Sequence, residues 1–337
     1  MQDSETRTAL PAPRPPTVTW LRRMSVPVPA LLLTIVLHGE LAAQVSAIEQ
    51  RCAAAGATSS TCAIGADIVD ITAARAIALG AGGNPVAGTA STFGRRVRAP
   101  RAAFTARVTT GGFDLPDVNS AGQTADGSAL GLNLDVAIGL TDGWSPAPTV
   151  GGVASIDLLA AIGTLRLPST FDDGSPFTWA AGVRIGALRE SFTAPGISLS
   201  LLYRRIGELQ VGPPGAVNAQ TAVTLAGVSA WSAMAAIGKR LSLFGFTAGA
   251  GYTSFSTDAT LLVRESASQV VDLGEVAFDG SRFTAFGSAS WTVTVWSLTG
   301  EIGWQNEGDA LTASGRTPAS DARGGGVFFT LAARLTL

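Results

Sequence analysis

From about Arg101 onward the sequence repeats one device, a short run in which every second residue is apolar. In GSALGLNLDVAIGLT, Leu130, Leu132, Leu134, Val136, Ile138 and Leu140 share one side of an extended chain. Gly131, Asn133, Asp135, Ala137 and Gly139 share the other. ASIDLLAAIGTLRL sets Ile156, Leu158, Ala160 and Ile162 against Ser155 and Asp157. TWAAGVRIGALRE and GISLSLLYRR repeat the pattern, and VFFTLAARLTL carries it to Leu337. The connections alternate as well. Those after odd-numbered runs are long, such as GGFDLPDVNSAGQTAD, PSTFDDGSP and STDATLLVRESASQVVDLGEVAFDG. Those after even-numbered runs, such as SFTAPG and KRLS, are mostly short.

Alternating long and short connections suit a sheet whose two ends face different compartments, with short periplasmic turns and longer external loops. In a bilayer every backbone polar group needs a partner, so such a sheet must close, its last strand pairing with its first. The reading is an all-β fold: a transmembrane antiparallel up-and-down β-barrel of about ten strands, within a range of eight to fourteen. The terminal alternating strand resembles the insertion signal of bacterial outer-membrane proteins, which implies the barrel-insertion machinery as a partner. Leu337 stands where most of those proteins have phenylalanine. Two rivals exist. One is a helical hairpin through the uncharged residues 216–238 and the following LSLFGFTAGAGYTSF; the other is a secreted soluble β-protein.

Composition agrees with a membrane setting. Only 14% of the 337 residues are charged, against about 25% in ordinary soluble domains, and the mean hydropathy is +0.32. The net charge of −2 offers no general attraction to nucleic acid. Residues 20–47 read as a secretory signal, with Arg22 and Arg23 ahead of the apolar residues 30–37 and small residues near Ala43 and Ala47. Met24 is an alternative start. No cysteine follows either cleavage site, so no lipid anchor is expected. Cys52 and Cys62 are the two cysteines, and in an exported chain they are expected to form one disulfide. The domain reading is therefore a signal region (1–47), an N-terminal plug or periplasmic segment (48–100) and a barrel (101–337), placed in the bacterial outer membrane.

Chemistry is sparse. The one histidine, His38, lies in the signal region, so the mature chain has none for a Ser-His-Asp triad or for metal ligation. The expectation is a non-enzyme without cofactor or metal site. With apolar faces toward outer-membrane lipid, the inward set includes Arg107, Asp135, Asp157, Arg184, Arg204, Glu301 and Arg334. Four cations nearly balance three anions, so no strong ion selectivity is expected. These side chains either pair and brace the barrel or line a solute path.

Residues 48–98 are a candidate filler for the lumen, opening with a short helix in DIVDITAARAIALG. Within it, ARAIALGAGGNPVAGTAST, residues 74–92, resembles the N-terminal hatch of long-chain fatty-acid transporter (FadL-like) outer-membrane proteins. The positions matching the hatch motif are Asn84, Pro85, Ala87 and Gly88, with Val86 intervening. The resemblance implies passive uptake of small hydrophobic molecules past a gating hatch. The alternative is a non-conducting structural or surface-display barrel whose external loops bind partners.

Overall fold

Ten long strands follow one another around a closed antiparallel barrel. They are β1 (Ala102–Pro116), β2 (Thr124–Thr141), β3 (Ser155–Arg166), β4 (Phe177–Leu188), β5 (Gly196–Ile206), β6 (Thr221–Leu241), β7 (Phe244–Ser266), β8 (Gln269–Val293), β9 (Trp296–Gln305) and β10 (Gly326–Thr336). Each strand pairs with the next in sequence, and β10 pairs with β1, placing Arg334 opposite Thr105. No edge is left unpaired by this closure, which is the condition for crossing a bilayer. A three-residue piece, Leu209–Val211, adds to β6, and a small hairpin joins Arg95–Arg96 to Ala99–Pro100 just before β1. This computed structural model describes residues 51, 54–56, 59–96, 99–116, 124–146, 151–167, 175–212, 221–266, 269–306 and 325–337.

The outer wall is apolar because successive side chains alternate across the sheet. On β9, Trp296, Leu298, Gly300, Ile302 and Trp304 are exposed while Ser297, Thr299, Glu301 and Gln305 are buried. Exposed aromatics gather in two rows. Trp179 and Trp231 flank the half-buried Tyr203 with tilted rings, centroids 5.5 Å and 5.1 Å apart, and Phe283 and Trp304 continue that row. Phe104, Phe244, Trp291 and Trp296 form the second row at the short-turn end. Trp296 and Trp304 are separated by roughly 26 Å of strand, which tilts to about 20 Å of height, the scale of an outer-membrane apolar band.

Beyond the upper row the alternation keeps its period but reverses its polarity. Along β7, Phe244, Phe246 and Tyr252 face outward and Thr247 and Thr253 inward. Further on, Ser256 and Asp258 face outward while Phe255, Ala259 and Leu261 turn in. On β8, Glu275 and Asp279 are exposed while Leu273, Val276 and Phe278 are buried. The extension above the membrane is thus built like a soluble protein, with an apolar interior. The sequence-based expectation of a long loop over residues 256–280 is corrected here. β7 and β8 run 23 and 25 residues and are separated by only residues 267 and 268. β1 likewise continues to Pro116 and β2 begins at Thr124, through stretches expected to be loop.

The helical hairpin through residues 216–238 is overturned, since Thr221–Leu241 is a barrel strand paired on both sides. Among the described residues, no helix is long and apolar enough to cross a membrane. The short helix expected in the N-terminal segment is instead the 23-residue α1 (Ser59–Ala81). Cys52 lies outside the described residues, as do the side chain of Cys62 and the signal region, so the disulfide has no structural account.

Candidate functional site

The barrel interior is occupied by α1 and the residues that follow it. The helix carries apolar side chains on every side, as an enclosed helix must. Ile64, Ile68, Val69, Ile71, Ile77 and Leu79 are all buried, against Leu115, Leu165, Leu261, Phe278 and Phe328 of the wall. It stops at Gly82, whose left-handed φ of 64° lets its N–H reach the Ala78 carbonyl at 2.9 Å. Wall glycine makes room for this end of the helix. A Cβ on Gly131 would lie 2.1 Å from the Leu79 carbonyl oxygen.

Contacts along β8 give the direction of the thread. Arg51 donates to the Glu275 carbonyl, Asp70 pairs with Arg282, Gly83 abuts Phe286, and Ser290 donates to the Gly88 carbonyl. Both series ascend together. The segment therefore runs lengthwise through the barrel, from the end of the β7–β8 extension to the short-turn end, where β1 begins.

Wall charges grip the backbone of the thread. The Arg107 guanidinium donates to the carbonyls of Ala81 at 2.7 Å, Asn84 at 2.9 Å and Pro85 at 3.1 Å, and pairs with Asp135 at 2.7 Å. The Glu301 carboxylate accepts the N–H groups of Gly83 and Asn84. Arg334 donates to the Ala87 carbonyl, and Asp157, paired with Arg184 at 2.6 Å, accepts the Phe93 N–H at 3.1 Å. Asn84 shapes the loop between them, accepting from Val86 N–H and donating to the Thr89 carbonyl, both at 3.1 Å. Gly88 holds a φ of 71°, and a Cβ there would lie 2.4 Å from the Thr299 hydroxyl oxygen. The four hatch-motif positions thus sit together in the lumen. The seven inward residues read from the sequence all face inside, six of them buried and Asp135 partly so.

Arg204 is buried beside Asp135 and Arg107 without bonding either, and its Nη1 has no partner among the described residues. It borders a cavity of about 40 Å³ between plug and wall, whose apolar lining includes Ile77, Pro85, Leu159, Leu202 and Met234. Sequence reading missed the upper anchors. Asp70 meets Arg282 at 2.5 Å, and Arg75 donates to the carbonyls of Gly112 and Val327. Arg75 lies on α1 and not on a spanning strand. The available signal was the phase of charges in an otherwise apolar helix. Their partners are far away in sequence. Among the described residues, no group of acidic, cysteine or histidine side chains is placed to hold a metal ion.

A closed barrel with a lipid-compatible belt, two aromatic rows and an internal plug defines a bacterial outer-membrane β-barrel protein. No protein-family model and no curated protein matches this sequence. Among solved structures, the chain is similar to the translocator domain of autotransporter NalP from Neisseria meningitidis. Identity is 10% and TM-score 0.39, over 80% of this chain and 95% of that one. It is also similar to the CymD monoaromatic hydrocarbon channel, at 9% identity and TM-score 0.27, over 78% and 93%. Against the copper transporter OprC the figures are 14% and 0.27, and the chain spans 36% of that protein's length. At these levels the likeness is one of barrel architecture alone.

Proposed function

We propose that this protein is a passive outer-membrane conduit for small solutes, hydrophobic ones included, with residues 59–94 as its gate. The observation that carries this reading is the small cavity at the plug–wall contact, apolar on most sides. The gate is held by apolar packing of α1 and by side-chain hydrogen bonds between wall and plug, and residues 59–94 form no strand pairing with the barrel. It can therefore shift without opening the sheet. A filled lumen with paired charges also suits the second reading, a barrel that conducts nothing and offers its external loops to partners. Solute flux into liposomes separates the two. The conduit reading expects flux that rises when residues 48–98 are deleted. Flux equal to empty liposomes, with and without that segment, would leave the non-conducting barrel.

A further inference from the structure

The short-turn mouth carries an open, arginine-lined space beyond the plug contacts. A cavity of about 520 Å³ opens there between the end of the plug and the turns. Four arginines line it, Arg101, Arg189, Arg240 and Arg334, with hydroxyls from Ser297 and Thr336. Glu190 also borders it, accepting the Arg240 backbone N–H, and Arg189 is paired at its rim with Asp142. At its floor lies Arg334, 7% exposed. That guanidinium stacks over the Phe93 ring at 5.8 Å and donates to one carbonyl. Among the described residues its Nε has no hydrogen-bond partner and no carboxylate forms an ion pair with it.

A buried cation without a counter-charge is costly, and elsewhere in this lumen the buried arginines Arg107, Arg184 and Arg282 each have an aspartate. Arg75 and Arg204 also lack an ion pair among the described residues, but they are enclosed where plug meets wall, whereas Arg334 borders a cavity that opens at the mouth. The guanidinium fork and nearby hydroxyls match the geometry and multiple acceptors of a phosphate group. We propose that this mouth is a binding site for a phosphate-bearing anion, whose charge completes Arg334. The cavity is large enough for the phosphate and a few attached atoms. The site stands whether or not the lumen conducts.

The test uses the full chain, refolded in a neutral, phosphate-free detergent and titrated with inorganic phosphate by calorimetry. Saturable binding is expected, weakened at least tenfold in Arg334→Gln and Arg240→Gln, and unchanged in Arg166→Gln, an exposed arginine at the opposite end of β3. Heat-modifiable gel migration reports whether each variant is folded. Should Arg334→Gln not fold, Arg240→Gln carries the comparison, because its side chain is exposed. A second arm repeats the titration in nanodiscs of phosphatidylglycerol. Loss of phosphate binding there assigns the site to a lipid headgroup, and retention assigns it to a soluble phosphate compound. Non-saturable uptake, or equal weakening in all three variants, overturns the proposal.

Discussion

Glu301, on the barrel wall, holds one carboxylate oxygen 2.7 Å from the backbone nitrogen of Gly83, on the segment that threads the lumen. Its second oxygen takes the next N–H in the chain. One side chain thereby satisfies two consecutive buried donors that have no strand to pair with.

Replacing Glu301 by alanine leaves both N–H groups without an acceptor, at a cost of about 1–3 kcal/mol each. The barrel should still close, because its strand ladder is untouched, while the plug loosens. Planar-bilayer recordings are expected to show more frequent openings in the variant than in the parent. Identical recordings would mean that this anchor does not hold the plug in place.

Asp157 and Arg184 stand directly opposite on β3 and β4, and both are buried. Asp157→Asn strands a buried guanidinium and should cost about 3–5 kcal/mol. The double change to leucine at both positions should cost less. Urea midpoints in detergent, read by loss of the fast-migrating folded band, order the three proteins.

Gly131→Ala would force a methyl group against the Leu79 carbonyl. The expected result is a closed barrel whose helix is displaced, seen as faster proteolysis of α1 at unchanged heat-modifiability. Equal proteolysis would show that the wall yields instead.

The outer face should report its own membrane limits. Leu134 is 57% exposed within the apolar band, so Leu134→Arg should destabilise by about 2–4 kcal/mol. Ser256→Arg, at an exposed position beyond the upper aromatic row, should change stability by about 0–1 kcal/mol. Folding into vesicles measures both.

The direction of the thread predicts sidedness. In a background lacking Cys52 and Cys62, Arg51→Cys should react with an impermeant maleimide on whole cells. Arg101→Cys, exposed at the opposite mouth, should react only after permeabilisation. The reverse pattern would invert the barrel in the membrane.

The barrel itself was legible because its cause is local. Alternation along Leu130–Leu132–Leu134 assigns one face to lipid whatever the rest of the chain does, and the same parity put Asp157 and Arg184 inside. The β7–β8 extension was misread because the alternation there changes sign. Leu261 and Phe278 turn inward and Asp258 outward, and a rule that expects apolar residues outside sees only a broken pattern. That reversal depends on where the bilayer stops and on a helix being present to cover the inner face, neither of which is a property of the strands.

By itself, then, the sequence determined that these segments are strands, which of their faces is apolar within the bilayer, and that charge is carried inward. Only the tertiary structure decided that α1 runs lengthwise through the lumen, that Asp70 finds Arg282 across 212 residues, and that Arg334 has no acid paired with it among the described residues. Alternation acts over two residues and survives in any context. Ion pairing across a lumen depends on the stagger at which the sheet closes and on the depth to which the plug descends, and both are set by packing the whole interior at once.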